Sequence, residues 1–171
     1  MTSKVTVLIV DDSPSMRQQL TALLKRDARI EVVGTARDGE EAVQKALALR
    51  PDVITMDIQM PKMDGLTSLQ YIMELAPCPV IILSSYTKKG ALVTFEALEL
   101  GAFDFVSKPD GGIAEPLETI AAELIDRIIA ASTSRRFAKA KAALKKEREA
   151  STASNWNYRK IVVIGVSTGG P

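Results

Sequence analysis

Five short runs rich in β-branched residues recur along the chain, with segments of helical periodicity between them. The runs are residues 5–10, 30–36, 52–57, 79–85 and 103–108. Strands that alternate with helices predict an α/β domain with a parallel sheet. Consecutive apolar positions, as in residues 80–83 (VIIL), are typical of strands that helices cover on both faces. The pattern therefore predicts a doubly wound, five-stranded parallel sheet within residues 1–131.

The segments between the runs predict five helices. The first begins with Ser13 as N-cap and Pro14 at the first helical position, and its apolar residues keep helical spacing. Similar spacing predicts helices at about residues 39–49, 66–76, 91–100 and 113–131.

The charge of the chain changes sign near residue 132. Residues 1–131 hold 13 Lys and Arg against 19 Asp and Glu, a net charge of −6, whereas residues 132–155 hold 7 against 2, a net charge of +5. Alanine and lysine favour helix in this second stretch, where Phe137, Ala140 and Leu144 approach one apolar stripe. We expect residues 132–158 to form a partly helical, solvated linker, which we favour over a nucleic-acid-binding segment.

Polar residues stand at the ends of four predicted strands. Asp11 and Asp12 end the first, Asp57 the third, Ser84 the fourth, and Lys108 the fifth. The carboxyl ends of parallel strands share one edge of the sheet, so these side chains should converge there. Each residue alone is compatible with a helix cap, a turn or a solvated side chain. Their joint placement is what indicates a functional site.

Three neighbouring carboxylates repel one another and normally need a cation, and an all-oxygen set suits Mg²⁺. A phosphoryl group arriving at Asp57 would then be neutralised by the metal and by Lys108, with a hydrogen bond from the Ser84 hydroxyl. Asp57 is the natural nucleophile, since a carboxylate can form an aspartyl phosphate.

Residues 4–131 resemble the receiver domains of two-component response regulators, which have a flavodoxin-like fold. The stretches that carry the resemblance are LIVDDSPSMRQQL, PDVITMDIQMPKMDGL, PVIILSS and GAFDFVSKP. The resemblance implies phosphorylation of Asp57 by a histidine kinase and a Mg²⁺ site completed by Asp11, Asp12 and the backbone carbonyl of Gln59. It also implies that Ser84 and Lys108 bind the phosphoryl group.

The same resemblance implies two conformational features. Phe105 matches the aromatic switch position, where the side chain turns inward on phosphorylation while Ser84 moves toward the phosphoryl group. A cis bond between Lys108 and Pro109 is also implied, and its low cost before proline permits it.

The last twelve residues, KIVVIGVSTGGP, form a strand-like run followed by a serine and glycines. Together with the receiver and the linker, they resemble the start of the catalytic domain of chemotaxis-type protein-glutamate methylesterases. We therefore assign residues 159–171 to the first strand and nucleophile loop of a truncated methylesterase domain. A plain β-turn is the alternative, and a P-loop is disfavoured because no Gly-Lys-Ser/Thr sequence is present.

The methylesterase resemblance implies that Ser167 is the nucleophile that attacks glutamate methyl esters on chemoreceptors, and that the enzyme also deamidates receptor glutamines. Serine attack needs a general base, normally histidine, and these 171 residues contain no histidine. We therefore expect the chain to be a fragment that is inactive as an esterase, with the hydrolase activity belonging to an intact parent protein.

These features predict a cytoplasmic response regulator of a chemotaxis-like system whose receiver controls a methylesterase and glutaminase. No apolar run reaches the length of a transmembrane helix, and no secretory signal precedes the first strand. Cys78 has no second cysteine to pair with and is expected to be an inert, partly buried thiol. The alternative function is a receiver-only signalling module or phosphate sink. A DNA-binding regulator is disfavoured by the strand-like run at Ile161.

Overall fold

The structure is a computed structural model that describes residues 3–85, 88–109, 116–134, 137 and 142–147. Within the described part of residues 5–132, five strands alternate with five α-helices. In chain order they are β1 (Val5–Val10), α1 (Pro14–Leu24), β2 (Ile30–Ala36), α2 (Gly39–Leu49), β3 (Val53–Asp57), α3 (Gly65–Leu75), β4 (Val80–Ser85), α4 (Lys88–Glu99), β5 (Asp104–Lys108) and α5 (Ala121–Ser132). A short 3₁₀ helix, Leu117–Ile120, leads into α5.

All neighbouring strands are parallel, in the order β2-β1-β3-β4-β5. The chain therefore moves outward from β1 to β2 and then in the opposite direction through β3, β4 and β5. A reversal of this kind leaves a crevice at the carboxyl ends of the two strands that flank it, here β1 and β3. The predicted doubly wound parallel sheet is confirmed.

The sheet separates two apolar cores, because successive side chains of a strand point to opposite faces. On β1, Leu8 and Val10 join the core beneath α2, α3 and α4, whereas Val7 and Ile9 join the core beneath α1 and α5. All four side chains are fully buried. This two-sided burial accounts for the continuous apolar runs in the sequence.

The predicted start of α1 is confirmed. Ser13 caps the helix by accepting a hydrogen bond from the Met16 amide at 3.3 Å, and Pro14 occupies the first helical position. Only three residues, 11–13, separate the end of β1 from the start of α1. The two aspartates at the end of β1 are thereby held in a short, ordered loop.

The predicted start of α5, at residue 113, is wrong. Pro116 has an extended backbone with ψ of 147°, and the 3₁₀ helix begins only after it. Proline lacks an amide hydrogen and so cannot lie in the interior of a helix that starts earlier. Residues 110–115 lie outside the described residues. The prediction for α4 started three residues late, since the helix begins at Lys88.

The expected cis bond between Lys108 and Pro109 is also wrong, since no described peptide bond is cis. The Lys108 amine nevertheless reaches its two carboxylate partners.

Within the predicted linker, residues 142–147 are helical and Phe137 is buried. The predicted methylesterase strand and loop, including Ser167, lie outside the described residues. None of the described helices combines the length and the apolar character that crossing a bilayer requires.

Candidate functional site

Three carboxylates meet at the carboxyl edge of the sheet. Asp11 and Asp12 follow β1, Asp57 ends β3, and one oxygen of each lies within 4.8 Å of the others. Asp11 is buried, Asp57 is half-buried and Asp12 is exposed. The structure thus brings together the three aspartates that the sequence predicted to converge.

Lys108 lies between two of these carboxylates. Its Nζ is 2.8 Å from Oδ2 of Asp11 and 3.1 Å from Oδ2 of Asp57. Lys108 is the last residue of β5, so its side chain extends across the end of β4 to reach β3 and β1. The ammonium group neutralises one of the clustered negative charges.

The electrostatics of the site are dominated by burial. Burial raises the pKa of Asp57 above its ordinary value, although the Lys108 charge opposes this effect and the Asp11 charge adds to it. For Lys108, burial acts to lower the pKa, but attraction to Asp57 and Asp11 outweighs it and the pKa is raised. The ionised form of Asp57 is therefore under-stabilised by the protein alone.

A cavity of about 140 Å³ opens beside Asp57. Ser84, Gln59 and Lys108 line it together with Asp57, and Gly90 of α4 closes one side. The Ser84 hydroxyl lies 3.3 Å from the Gly90 carbonyl oxygen, to which it donates. These groups are arranged around a space that could receive a small anion next to the Asp57 carboxylate.

The residues present fit a hard cation. The three aspartates that converge at this edge offer oxygen ligands, and their ligand atoms lie close enough to share one ion. Gln59 borders the same cavity, two residues after Asp57. The predicted role of its backbone carbonyl as a fourth ligand stays a prediction.

Phe105 lies apart from the carboxylates. It is on β5 and 38% exposed. With Phe95, Leu98 and Lys88 of α4 it lines a larger groove on the outer face of α4 and β5, which Ser84 also borders. Its predicted switch movement stays a prediction.

Arg17 contacts the acidic loop and was not singled out from the sequence. Its guanidinium donates hydrogen bonds to the backbone carbonyls of Asp11 at 2.8 Å and Asp12 at 3.1 Å. The Ser13 amide donates to the Asp11 carboxylate at 2.9 Å. The available signal was an arginine on the first turn of a helix that directly follows two aspartates.

Gly65 was also missed as part of the site. A Cβ atom at this position would lie 2.4 Å from the backbone oxygen of Asp57 and 2.7 Å from the Cα of Ile58. The Gly65 amide donates to the Ile58 carbonyl at 2.8 Å. The start of α3 is thus packed directly on the backbone that carries Asp57, a contact that only glycine permits.

The comparisons with known proteins agree on the type of domain. A family model described as the response regulator receiver domain matches residues 7–114. The response regulator domain of Thermotoga maritima CheB, a solved structure, is 46% identical, has a TM-score of 0.72, and aligns over 77% of this chain and 98% of its own. A CheX–CheY–BeF₃–Mg²⁺ complex from Borrelia burgdorferi contains a chain that is 32% identical with a TM-score of 0.62, covering 77% and 92%.

Curated relatives match nearly the whole chain. A protein-glutamate methylesterase/protein-glutamine glutaminase of Carboxydothermus hydrogenoformans is 51% identical over 99% of this chain and 49% of its own length. A relative with the same description from Archaeoglobus fulgidus is 52% identical over 96% and 48%. The chain thus spans about half the length of the curated relatives it matches.

Proposed function

The chain belongs to the response regulator receiver domain family, and on that premise we propose that it accepts a phosphoryl group on Asp57 from a histidine kinase. One observation carries the proposal: the Asp57 carboxylate faces a cavity beside a three-carboxylate cluster and is 3.1 Å from the Lys108 ammonium. Nucleophile, cationic partner and space for the incoming group therefore occur together.

In the proposed reaction, an Asp57 carboxylate oxygen attacks the phosphorus of a phosphohistidine. The oxygen–phosphorus bond forms as the phosphorus–nitrogen bond breaks, and the imidazole leaves with the electron pair. The raised pKa of Asp57 accompanies a more basic and more nucleophilic carboxylate. Lys108 stabilises the charge on the phosphoryl oxygens. The Ser84 hydroxyl breaks its hydrogen bond to the Gly90 carbonyl and donates to one of these oxygens instead.

We propose Mg²⁺ as the cation, held by Asp11, Asp12, Asp57 and the Gln59 carbonyl. When bound, it would neutralise charge on the transferring group. Arg17 supports this role because it fixes the two carbonyls of the aspartate pair from α1. The Borrelia relative was solved with BeF₃ and Mg²⁺, as its description states.

For the output, we propose a protein-glutamate methylesterase and glutaminase acting on chemoreceptors. This proposal is supported by the names of relatives that match nearly the whole chain at 51% and 52% sequence identity. In this proposal residues 1–131 are the receiver, 132–158 the linker and 159–171 the start of the hydrolase domain with Ser167 as nucleophile. Because the 171 residues include no histidine, we expect this chain alone to lack esterase activity.

The phosphorylation is tested with acetyl phosphate and Mg²⁺, with the product followed by intact mass spectrometry. We expect one added phosphoryl group on the wild type and none on Asp57→Asn, because an amide cannot act as the nucleophile. Asp126→Asn is the matched control, since Asp126 is exposed on α5 away from the site. Unchanged labelling of Asp57→Asn would contradict the assignment.

The output is tested with a longer protein that continues past Pro171 and with methylated chemoreceptor as substrate. We expect phosphorylation to increase methanol release in this protein and Ser167→Ala to abolish the release. A longer protein that is phosphorylated normally but releases no methanol would contradict the esterase proposal. The receiver assignment would be unaffected by that result.

A further inference from the structure

Two apolar side chains C-terminal to α5 are shielded from water, one almost fully and one in part. Phe137 is only 6% exposed, and Leu144 is half-buried although its described neighbours 142, 143 and 145–147 are exposed. Residues 142–147 are helical, and Leu144 marks the side of this helix that is turned away from solvent. The basic stretch after α5 therefore has an apolar side that contacts the receiver.

Phe137 packs against the residue that precedes β5. Its ring centroid is 6.4 Å from that of Phe103, with the planes inclined at 59°, a favourable arrangement for an aromatic pair. Phe103 is itself anchored, since its amide donates to the Val80 carbonyl at 2.8 Å and its ring packs on the core beneath α1 and α5. Phe137 thus extends that core beyond α5.

Leu144 helps to line a separate pocket at the ends of α2 and α3. The pocket is lined by Ala46, Leu47, Arg50, Pro51, Leu75, Ala76, Pro77 and Cys78. The cavity remaining beside Leu144 is about 30 Å³, little more than a water molecule needs. Cys78 is 5% exposed, and its thiol donates to the Pro51 carbonyl at 3.3 Å.

Both contacts lie at the same edge of the sheet. Pro51, Cys78 and Phe103 each stand one or two residues before β3, β4 and β5, at their amino ends. The carboxylate cluster lies at the opposite, carboxyl edge. Phe137 and Leu144 therefore meet the face of the receiver that is farthest from Asp57.

We infer that Phe137 and the helical residues 142–147 dock against the amino edge of the sheet as a strap, with Phe137 on Phe103 and Leu144 closing the pocket that Cys78 also lines. The occupant of this apolar surface is the chain's own linker segment. The folded receiver unit consequently includes Phe137 and residues 142–147, which lie at the edge opposite the phosphorylation site. This inference does not depend on the proposed function.

Cys78 provides the test, because it is the only cysteine and lies in the pocket that Leu144 covers. The rate of its reaction with a water-soluble disulfide reagent is measured on the full 171-residue chain in native buffer. Leu144→Asp should accelerate the reaction by at least about tenfold, since burial of a carboxylate among the apolar side chains that make up most of the pocket lining is unfavourable. Ala143→Asp is the matched control, because it adds the same charge one residue away on the exposed face and should leave the rate within about twofold of the wild type.

Urea dependence separates strap release from unfolding. Release of a short segment exposes little surface, so the accelerated rate of Leu144→Asp should depend only weakly on low urea concentrations. Equal rates in the wild type and Leu144→Asp would overturn the inference. Equal acceleration in both Asp variants would also overturn it, because loss of helix rather than of the pocket contact would then be responsible. A wild-type rate that falls with increasing protein concentration would assign the covering role to a second copy.

Discussion

Thr55 places a hydroxyl in the middle of the core. The residue is fully buried on β3, and its Oγ1 has no hydrogen-bond partner within the described part of the chain. A buried hydroxyl that gives up water without a replacement partner costs stability. Thr6, on neighbouring β1, shows the opposite case: its Oγ1 lies 2.9 Å from the Asp52 carboxylate and accepts from the Asp52 amide at 3.0 Å.

The two threonines give a matched stability prediction. Thr55→Val should raise the free energy of unfolding by about 1 kcal/mol, because it removes the unsatisfied hydroxyl at constant shape. Thr6→Val should lower it by about 1–2 kcal/mol, because the Asp52 carboxylate and the Asp52 amide each lose their hydrogen bond to the Thr6 hydroxyl. Urea unfolding followed by circular dichroism measures both. A loss of stability in Thr55→Val would show that its hydroxyl has a partner.

Asp57 should make stability depend on pH in metal-free buffer. Its pKa is raised in the folded protein, so folding strengthens proton binding at this carboxyl. Its contribution to stability is therefore greatest below the ordinary pKa of 3.8 and declines as the pH rises through the higher folded value.

Asp57→Asn should remove that decline. We expect the variant to be more stable than the wild type near neutral pH, with the difference shrinking as the pH approaches about 4. Urea midpoints across this range, with EDTA present, provide the measurement, and comparison of the two proteins cancels the titration of other carboxylates. Added Mg²⁺ should stabilise the wild type more than the variant. A constant difference at all pH values would contradict the raised pKa.

At the scale of elements, α3 and β3 are joined by contact of one backbone with another. Gly65→Ala would force a Cβ to within 2.4 Å of the Asp57 carbonyl, and neither partner can rotate away. We expect a loss of about 1–3 kcal/mol in unfolding free energy, typical of overpacking, and slower labelling by acetyl phosphate. Both effects arise from displacement of the backbone that carries Asp57.

Gly34→Ala is the control for Gly65→Ala. At Gly34 the new Cβ would meet the Cδ1 of Leu49 at 2.8 Å, but Leu49 is 43% exposed and its side chain can move. The loss of stability should therefore be smaller, and the labelling rate should stay at the wild-type value. Similar losses of unfolding free energy in both variants would mean that the start of α3 can shift to accommodate the new Cβ more easily than its contacts indicate.

At the scale of the whole molecule, the two edges of the sheet differ in chemistry. The carboxyl edge carries the clustered carboxylates and Lys108, whereas the amino edge carries the largely apolar pocket that Leu144 helps to line. A third surface, on α4 and β5, exposes large apolar side chains: Leu92 is 75% exposed and Phe95 64% exposed. These side chains contribute little to the core.

Leucine-to-alanine substitutions on α4 and α3 test whether the exposed apolar side chains of α4 contribute to stability. Leu92→Ala on α4 should change the unfolding free energy by no more than about 0.5 kcal/mol. Leu69→Ala on α3 should lower it by about 2–5 kcal/mol, because Leu69 is fully buried and its truncation leaves a cavity. Urea unfolding compares the two. A large loss in Leu92→Ala would show that α4 packs more extensively than its exposure indicates.

Sequence patterns predicted most of the fold because the sheet is covered on both faces. Buried strands such as β4 must be continuously apolar, and the helices between them must carry an apolar stripe. The boundaries of α2 were predicted correctly, and those of α3 to within one residue. The start of α5 was missed, because the periodicity of its apolar stripe outweighed the local effect of Pro116.

The sequence by itself determined the sheet, the edge at which the polar strand ends meet, and the identity of the three carboxylates and Lys108. It could do so because strand direction in a parallel sheet assigns each strand end to one edge. Other features depend on distances between segments that are remote in the chain, and only the tertiary structure decided them. They are the contacts of Lys108 with Asp11 and Asp57, the contact of Gly65 with the Asp57 backbone, and the pocket that Leu144 helps to line. Packing of this kind leaves no periodic signal, because it is fixed by the shapes of surfaces that meet only after folding.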